Sequence, residues 1–187
     1  MNAANHQNHY PKLDHDQYAR TLPTDDLWGQ VKRTVAGNPV DGRQIEMIVK
    51  AIRAGLQLTP DDNLLDIGCG NGVLSRLLFD SCREFLGVDL SEYLISVAKS
   101  RFEILPNFEF LAQGAAEYLR QEPMPNRFTK ALCYGCFPYL SVGDAAEVLR
   151  LIFDRFTNVS QLFIGNLPEL DRAADFYTTR IPSVEEL

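Results

Sequence analysis

Three glycines with an acidic residue on either side form the most informative pattern in the sequence. Residues 64–74 read LLDIGCGNGVL, so Gly68, Gly70 and Gly72 alternate directly after a short apolar run that contains Asp66. Glycine is needed where the backbone takes a positive φ or where a ligand approaches the chain closely. Because the apolar run has the character of the first strand of a parallel sheet, we expect this loop at the carboxyl edge of the sheet, where ligands bind.

A second acidic residue points to the type of ligand. Asp89 follows the next apolar run and lies 21 residues after Gly68. A carboxylate at this position can accept hydrogen bonds from both ribose hydroxyls of an adenosine. The glycine loop and Asp89 together therefore predict a ligand that contains adenosine.

Two common adenosine ligands fit the loop poorly. The dinucleotide fingerprint G-x-G-x-x-G places its third glycine at position 73, where this chain has Val73, and Asp66 would repel a pyrophosphate. Val73 therefore disfavours a nicotinamide-dependent oxidoreductase. No Lys-Ser/Thr pair follows the loop, so it is not a phosphate-cradling P-loop.

The pattern Asp66-x-Gly68-x-Gly70-x-Gly72, followed by Asp89, resembles the first motifs of class I S-adenosylmethionine-dependent methyltransferases, over about residues 41–170. The resemblance implies S-adenosylmethionine as methyl donor and S-adenosylhomocysteine as product. It implies a donor site made of Asp66, Gly68, Cys69, Gly70, Asn71, Gly72, Asp89, Leu90, Ala115, Ala116 and Tyr134. Where the family commonly has an acid that meets the adenine, this chain has Ala115, so Glu117 or backbone groups would substitute.

The chemistry of the acceptor is indicated by the segment YGCFPY, residues 134–139, and by the net charge. The segment lacks the Asn/Asp-Pro-Pro-aromatic signature of base and glutamine N-methyltransferases, and the net charge is −7. Binding to nucleic acid depends largely on Lys and Arg. We therefore expect a small-molecule acceptor, with O-methylation preferred, and no nucleic-acid partner. The segment from Trp28 resembles the cap of methyltransferases that act on sugars or secondary metabolites, and this resemblance implies an acceptor of that kind.

An oxygen acceptor usually needs a catalytic base. The candidates are Tyr139 and Tyr134, in the loop after the fourth predicted strand, and His15, in the N-terminal arm with His6 and His9. The sequence gives none of them a distinguishing spacing. Cys133 and Cys136 match a C-x-x-C pair, but Cys133 falls inside a predicted strand and no second pair completes a zinc site, so we predict neither redox nor metal function.

The elements that position these residues alternate between short apolar runs and amphipathic stretches. Strands are predicted at 64–67, 85–88, 108–111, 129–134 and 162–164. Helices are predicted at 25–35, 41–56, 73–81, 93–102, 116–121, 144–156 and 169–177. Strands that are apolar throughout and separated by helices indicate a mostly parallel sheet covered on both faces. The predicted fold is α/β, a doubly wound Rossmann-like sheet.

The domain organisation follows from length and composition. A chain of 187 residues accommodates one ordinary domain, which we place at 41–187 as the donor-binding unit. Residues 1–40 are predicted to form an arm and a helical cap, with Trp28 in a segment similar to the cap of small-molecule methyltransferases. No signal peptide or membrane span is visible, and four cysteines do not suggest a disulfide framework. We therefore expect a cytoplasmic protein without a membrane partner.

The sequence ends at Leu187, shortly after the fifth predicted strand. The family sheet usually has seven strands, so the last two are expected to be absent and one sheet edge would lack its usual neighbours. Either the chain is a truncated form, or the N-terminal arm or a second copy, in a homodimer, covers that edge. A catalytically silent donor-binding or partner module therefore stays the alternative to an enzyme.

Overall fold

The computed structural model describes residues 15–35 and 38–167. The helices are α1 (His15–Arg20), α2 (Leu27–Gln30), α3 (Gly42–Leu56), α4 (Glu92–Phe102), α5 (Ala115–Gln121) and α6 (Val142–Arg155). The strands are β1 (Thr34–Val35), β2 (Asn38–Pro39), β3 (Asn63–Ile67), β4 (Glu84–Asp89), β5 (Phe108–Ala112), β6 (Lys130–Tyr134) and β7 (Gln161–Gly165). Short 3-10 helices are Ser75–Ser81, Pro125–Arg127 and Phe137–Tyr139.

The main sheet has five parallel strands in the order β5-β4-β3-β6-β7. The chain moves outward from β3 to β5 and then returns to pair β6 with β3, so the strand order reverses between β3 and β6. The carboxyl ends at such a reversal form the ligand crevice of open α/β sheets. The predicted Rossmann-like fold is confirmed, and each predicted strand lies within two residues of the observed one.

Both faces of the sheet are buried against helices. On one face α5 and α6 cover strand side chains such as Leu65 and Val88. On the other face α3, α4 and the 3-10 helix Ser75–Ser81 cover strand side chains such as Leu64 and Phe85. Full burial of such an apolar side chain contributes about 1.5–3 kcal/mol. This two-sided core holds the carboxyl ends of the strands in fixed positions.

The segment after the glycine loop differs from the predicted α-helix at 73–81. It is a 3-10 helix, Ser75–Ser81, with a hydrogen bond from the Leu77 N–H to the Leu74 carbonyl at 3.1 Å. Gly72 is in the left-handed region at φ 74°, and Val73 and Leu74 lead out of that turn. Cys82 is extended at φ −148° and ends this 3-10 helix after seven residues.

The helix predicted at 25–35 is wrong in extent. Only Leu27–Gln30 is helical, and Asp26 caps it by accepting the Gly29 N–H at 2.9 Å. Lys32 takes a left-handed φ of 54°, which ends the helix. The chain then extends into β1, which pairs with β2.

Residues 15–20, part of the segment predicted to be a mobile arm or a lid, form a helix that is docked on the domain. Ala19 is fully buried. The Asp16 carboxylate accepts the Ser91 hydroxyl and the Tyr93 N–H, both at 2.8 Å, so it binds the N-terminus of α4. The Ser91 hydroxyl caps α4 by accepting the Leu94 N–H at 3.1 Å. The hydrogen bonds of Asp16 to the start of α4 therefore hold α1 in place, although its sequence has no helical repeat of apolar residues.

Several predictions concern residues that the structure does not describe. The helix at 169–177, His6 and His9 lie outside the described residues. Within the described part, β5 and β7 are the edge strands, and both the second copy expected at one edge and the domain division at residue 40 stay predictions. No helix in residues 15–35 or 38–167 is long and apolar enough to cross a membrane.

Candidate active site

The glycine loop, residues 68–72, turns over the carboxyl ends of β3 and β4. Gly68, Gly70 and Gly72 all have positive φ, at 76°, 58° and 74°. The N–H groups of Gly68 and Cys69 both donate to the Val88 carbonyl, at 2.7 and 3.2 Å. A Cβ on Gly68 would lie 2.3 Å from the Cβ of Cys136, so the turn and the loop after β6 approach one another as closely as glycine permits.

Asp89 connects the glycine loop to the start of α4. One carboxylate oxygen accepts the Gly70 N–H and the other accepts the Ser91 N–H, each at 2.9 Å. Burial nevertheless raises the pKa of Asp89, and the two backbone N–H groups only partly offset that effect. The carboxylate keeps further lone pairs that hydroxyl donors can stabilise. Leu90 beside it is 79% exposed, and the two residues offer what a ribose diol and an adenine require.

Asp66 lies behind the loop on β3 and is buried. Its carboxylate accepts the Ser75 hydroxyl at 2.7 Å. Burial raises the pKa of Asp66 to about 7, Ser75 opposes the shift, and the negative charge of Asp89 adds to it. Among the described residues no Lys or Arg forms an ion pair with either carboxylate. A cationic ligand therefore fits this pair, and a pyrophosphate does not.

The N-terminal segment covers the glycine loop. The Asn71 side chain is fully buried and donates to the Leu27 carbonyl at 2.8 Å and to the Gln30 side chain at 3.0 Å. A Cβ on Gly70 would lie 2.8 Å from Cγ1 of Val31. The contact of Asn71 with the donor stays a prediction; its side chain amide binds the covering segment, and its Oδ1 accepts the Val73 N–H at 3.2 Å.

Replacing Asn71 with alanine is expected to lower the free energy of unfolding by about 1–3 kcal/mol, because buried polar partners on α2 lose their hydrogen bonds. Urea unfolding measures this loss. Asn158→Ala is the matched control: this amide is exposed and makes one hydrogen bond, to the Asn126 carbonyl, so its loss is expected to stay below about 1 kcal/mol. Equal stability of the Asn71 variant and the parent would contradict the covering role.

The candidate base residues lie at the carboxyl end of β6. The His15 ring contacts the Tyr139 ring edge to face with centroids 4.5 Å apart, although the two residues are distant in sequence. Tyr134 is half-buried and stacks under the guanidinium of Arg33 at 4.6 Å. Burial raises the pKa of Tyr134 and Arg33 opposes that shift. Tyr134 therefore lies at the carboxyl end of β6, and His15 and Tyr139 are in contact.

The other residues predicted to bind the donor differ in how far their side chains are buried. Cys69 is buried, and its Sγ would lie 2.8 Å from a Cβ on Gly87, so its side chain points into the core and only its backbone lines the loop. Ala115 and Ala116 begin α5 and pack against the core. Glu117, the predicted substitute for an adenine acid, is exposed in the first turn of α5.

Several contacts of the site could not be found in the sequence. Ser75 on Asp66, Val31 over Gly70 and Arg33 over Tyr134 each join residues from separate elements, and no local pattern marks such pairs. The sequence did single out the segment with Trp28 and Arg33 as a cap. The sequence did not show that this cap closes over the glycine loop.

The chain matches the family model described as "Methyltransferase domain" over residues 64–157, half of the 187 residues. The chain belongs to the class I S-adenosylmethionine-dependent methyltransferases. S-adenosylmethionine is accordingly the cofactor of this methyltransferase, and the acidic pair and the adjacent exposed leucine fit it. In the described residues no group of three His, Cys, Asp or Glu side chains is arranged to hold a metal ion.

Curated relatives differ in their acceptors. The methyltransferase is 30% identical over 105 residues to a ubiquinone biosynthesis O-methyltransferase of Pseudomonas fluorescens, covering 56% of this chain and 44% of that protein. It is 41% identical over 76 residues to ribosomal RNA small subunit methyltransferase A of Pseudomonas syringae, covering 41% and 26%. The chain thus spans less than half the length of these curated relatives.

A solved structure agrees on the fold alone. The precorrin 8W decarboxylase of Methanobacterium thermoautotrophicum superposes with a TM-score of 0.51 at 21% identity, covering 68% of this chain and 63% of that one. At this identity the likeness supports the Rossmann-like arrangement and carries nothing about the acceptor.

Proposed function

We propose that this methyltransferase transfers a methyl group to a small-molecule acceptor, with a hydroxyl oxygen as the preferred target. The observation that carries the proposal is the cover over the glycine loop, where Asn71 holds α2 and Val31 packs on Gly70. A covered crevice admits a small acceptor more readily than a large one, and it excludes water during transfer.

The donor supplies a sulfonium methyl group with a neutral thioether as leaving group, so the protein mainly has to hold and orient the reactants. Asp89 would bind the ribose hydroxyls and Leu90 would lie against the adenine. Gly68 and Gly70 let the backbone approach the rest of the donor. Asp66 would stabilise its positive charge from behind the loop.

Removal of the acceptor proton falls to His15 in this proposal. His15 lies against Tyr139 at the mouth of the crevice, and its charge interacts with that of Asp89. A proton taken by an imidazole nitrogen of His15 would therefore form an imidazolium that Asp89 stabilises. Tyr139 orients the ring, and Tyr134 is the alternative base on β6.

An RNA acceptor, as named for one group of relatives, is the competing possibility. The net charge of −7 disfavours it, because affinity for the phosphate backbone depends largely on Lys and Arg. The cytoplasm stays our proposed location, and the four cysteines, all free thiols, support a reducing compartment.

Transfer of a radiolabelled methyl group to a panel of phenols, catechols and sugars, with ribosomal RNA in parallel, tests the proposal. We expect label on a hydroxylated small molecule and none on RNA. Label on RNA alone would overturn the acceptor class. Absence of transfer to any acceptor, with the donor bound, would favour the silent binding module.

His15→Gln is expected to lower kcat about 10²–10⁴-fold, the usual range for loss of a general base, with the Kd for S-adenosylhomocysteine unchanged. Tyr139→Phe keeps the ring contact and is expected to cost much less. Steady-state kinetics with the same acceptor measure both variants. An unchanged kcat in His15→Gln would assign the proton transfer elsewhere.

A further inference from the structure

Arg33 occupies a separate part of the crevice from the carboxylates of Asp66 and Asp89. Its guanidinium stacks on the Tyr134 ring, and its Nη2 lies 2.6 Å from where a Cβ of Gly135 would be. Gly135 has a φ of 75°, in the left-handed region that favours glycine. The Arg33 guanidinium occupies the space that a Cβ at this position would need. This places the guanidinium at the carboxyl end of β6, whereas Asp66 and Asp89 belong to β3 and β4.

The charge of Arg33 has no counter-charge in the described chain. No carboxylate of residues 15–35 or 38–167 forms an ion pair with it. Burial lowers the pKa of Arg33, and the groups that oppose this shift are the phenols of Tyr134 and Tyr139. A desolvated guanidinium without an anion is costly. A ligand anion would relieve that cost.

A second donor converges on the same place. Nδ2 of Asn166, which follows β7, lies 3.3 Å from the Cβ position of Gly135. Asn166 takes a left-handed φ of 58°, a conformation that Asn tolerates better than most residues. Stacking on Tyr134 occupies one face of the guanidinium, and its N–H donors lie in the plane of the group, away from that face. The site therefore combines a fixed positive charge with an amide N–H.

We propose that the acceptor of this methyltransferase carries a carboxylate, which Arg33 and Asn166 bind at the carboxyl ends of β6 and β7. This inference rests on the proposed function and narrows its substrate class. A guanidinium pairs with a carboxylate through two parallel N–H···O bonds, so the pair fixes the orientation of the acceptor as well as its charge. The carboxylate would lie on the far side of the crevice from Asp89.

Binding to the protein saturated with S-adenosylhomocysteine tests the proposal without any need for turnover. The probes are 3-hydroxybenzoate and 3-hydroxybenzamide, which share a shape and differ in charge, and NMR titration gives the Kd of each. We expect the parent to bind the carboxylate roughly 10-fold or more tighter than the amide, since hydrogen bonds between a guanidinium and a carboxylate are stronger than those to a neutral amide. Arg33→Gln is expected to abolish this preference.

Two further variants make the result specific. Asn166→Asp places a negative charge beside Arg33 and is expected to remove the preference as well. Arg43→Gln, at an exposed arginine on α3, is the matched control and is expected to retain it. Equal binding of the two probes to the parent, or a preference that survives in Arg33→Gln, would overturn the proposal.

The donor also carries a carboxylate, so its affinity is measured in the same variants. We expect the Kd for S-adenosylhomocysteine to change less than about twofold in Arg33→Gln, against the tenfold that 1.4 kcal/mol represents. A loss of tenfold or more would assign Arg33 to the donor and overturn the proposal. Failure of methyl transfer in the radiolabel assay would reject the proposed function. The Kd values of the two probes would still show whether Arg33 binds a carboxylate.

Discussion

Asp89→Ala is expected to raise the Kd for S-adenosylhomocysteine about 10²–10⁴-fold. The Asp89 carboxylate is the group that would accept both ribose hydroxyls, and hydrogen bonds to a charged group contribute about 1.5–3 kcal/mol each. Its own bonds to the Gly70 and Ser91 N–H groups fix it in place, so its loss also loosens the glycine loop. Isothermal titration calorimetry of the parent and the variant measures the change.

A loss of folding has to be separated from a loss of binding in this variant. Circular dichroism and the Tm without ligand report the fold, and Asp154→Ala provides a matched control. Asp154 is an exposed carboxylate that pairs with Arg150 on α6, and its removal is expected to leave both Tm and Kd almost unchanged. A folded Asp89→Ala protein with the Kd of the parent would remove Asp89 from the site.

Gly68→Ala is expected to lower the free energy of unfolding by about 2–5 kcal/mol. A left-handed backbone costs a non-glycine residue about 1–2 kcal/mol, and overpacking typically adds about 1–3 kcal/mol. The added methyl would lie 2.3 Å from the Cβ and 2.5 Å from the Sγ of Cys136. Either the glycine loop or the loop after β6 has to move, so we expect weaker donor binding as well. Urea unfolding measures the stability.

Gly42→Ala is the control for this substitution. A Cβ on Gly42 meets nothing within 4 Å, and Gly42 lies in α3, where alanine is favoured over glycine by up to about 1 kcal/mol. We also expect Cys136→Gly to recover part of the stability of Gly68→Ala, because it removes the atom that clashes. If Gly68→Ala unfolds at the same urea concentration as the parent, the close approach of the two loops is wrong.

The sequence predicted the sheet well because strands β3 to β7 carry their signals locally. Each is a short apolar run that ends at a glycine or a polar residue, and the helix caps Asp41 and Ser91 are equally local. The N-terminal region was predicted poorly for the opposite reason. α1 is held in place because its Asp16 binds the start of α4, about 75 residues away. No pattern within residues 15–20 predicts such a contact.

The candidate site likewise contains residues that a local motif predicts and contacts that depend on distant parts of the chain. Asp66, the three glycines and Asp89 were predicted because one motif brings them together along the chain. The contact of His15 with Tyr139 and the position of Arg33 over Gly135 depend on where the N-terminal segment docks. Asn71 shows that a residue inside a motif can serve the packing of another segment. A motif therefore predicted the glycine loop with its two carboxylates, and only the fold showed which contacts the N-terminal segment makes.

A crystal structure of the protein with S-adenosylhomocysteine tests the central claim most directly. The account predicts one ligand at the carboxyl ends of β3 and β4, with its two ribose hydroxyls in hydrogen-bond distance of the Asp89 carboxylate and its adenine beside Leu90. A ligand bound elsewhere on the molecule, or one whose ribose makes no contact with Asp89, would contradict the account.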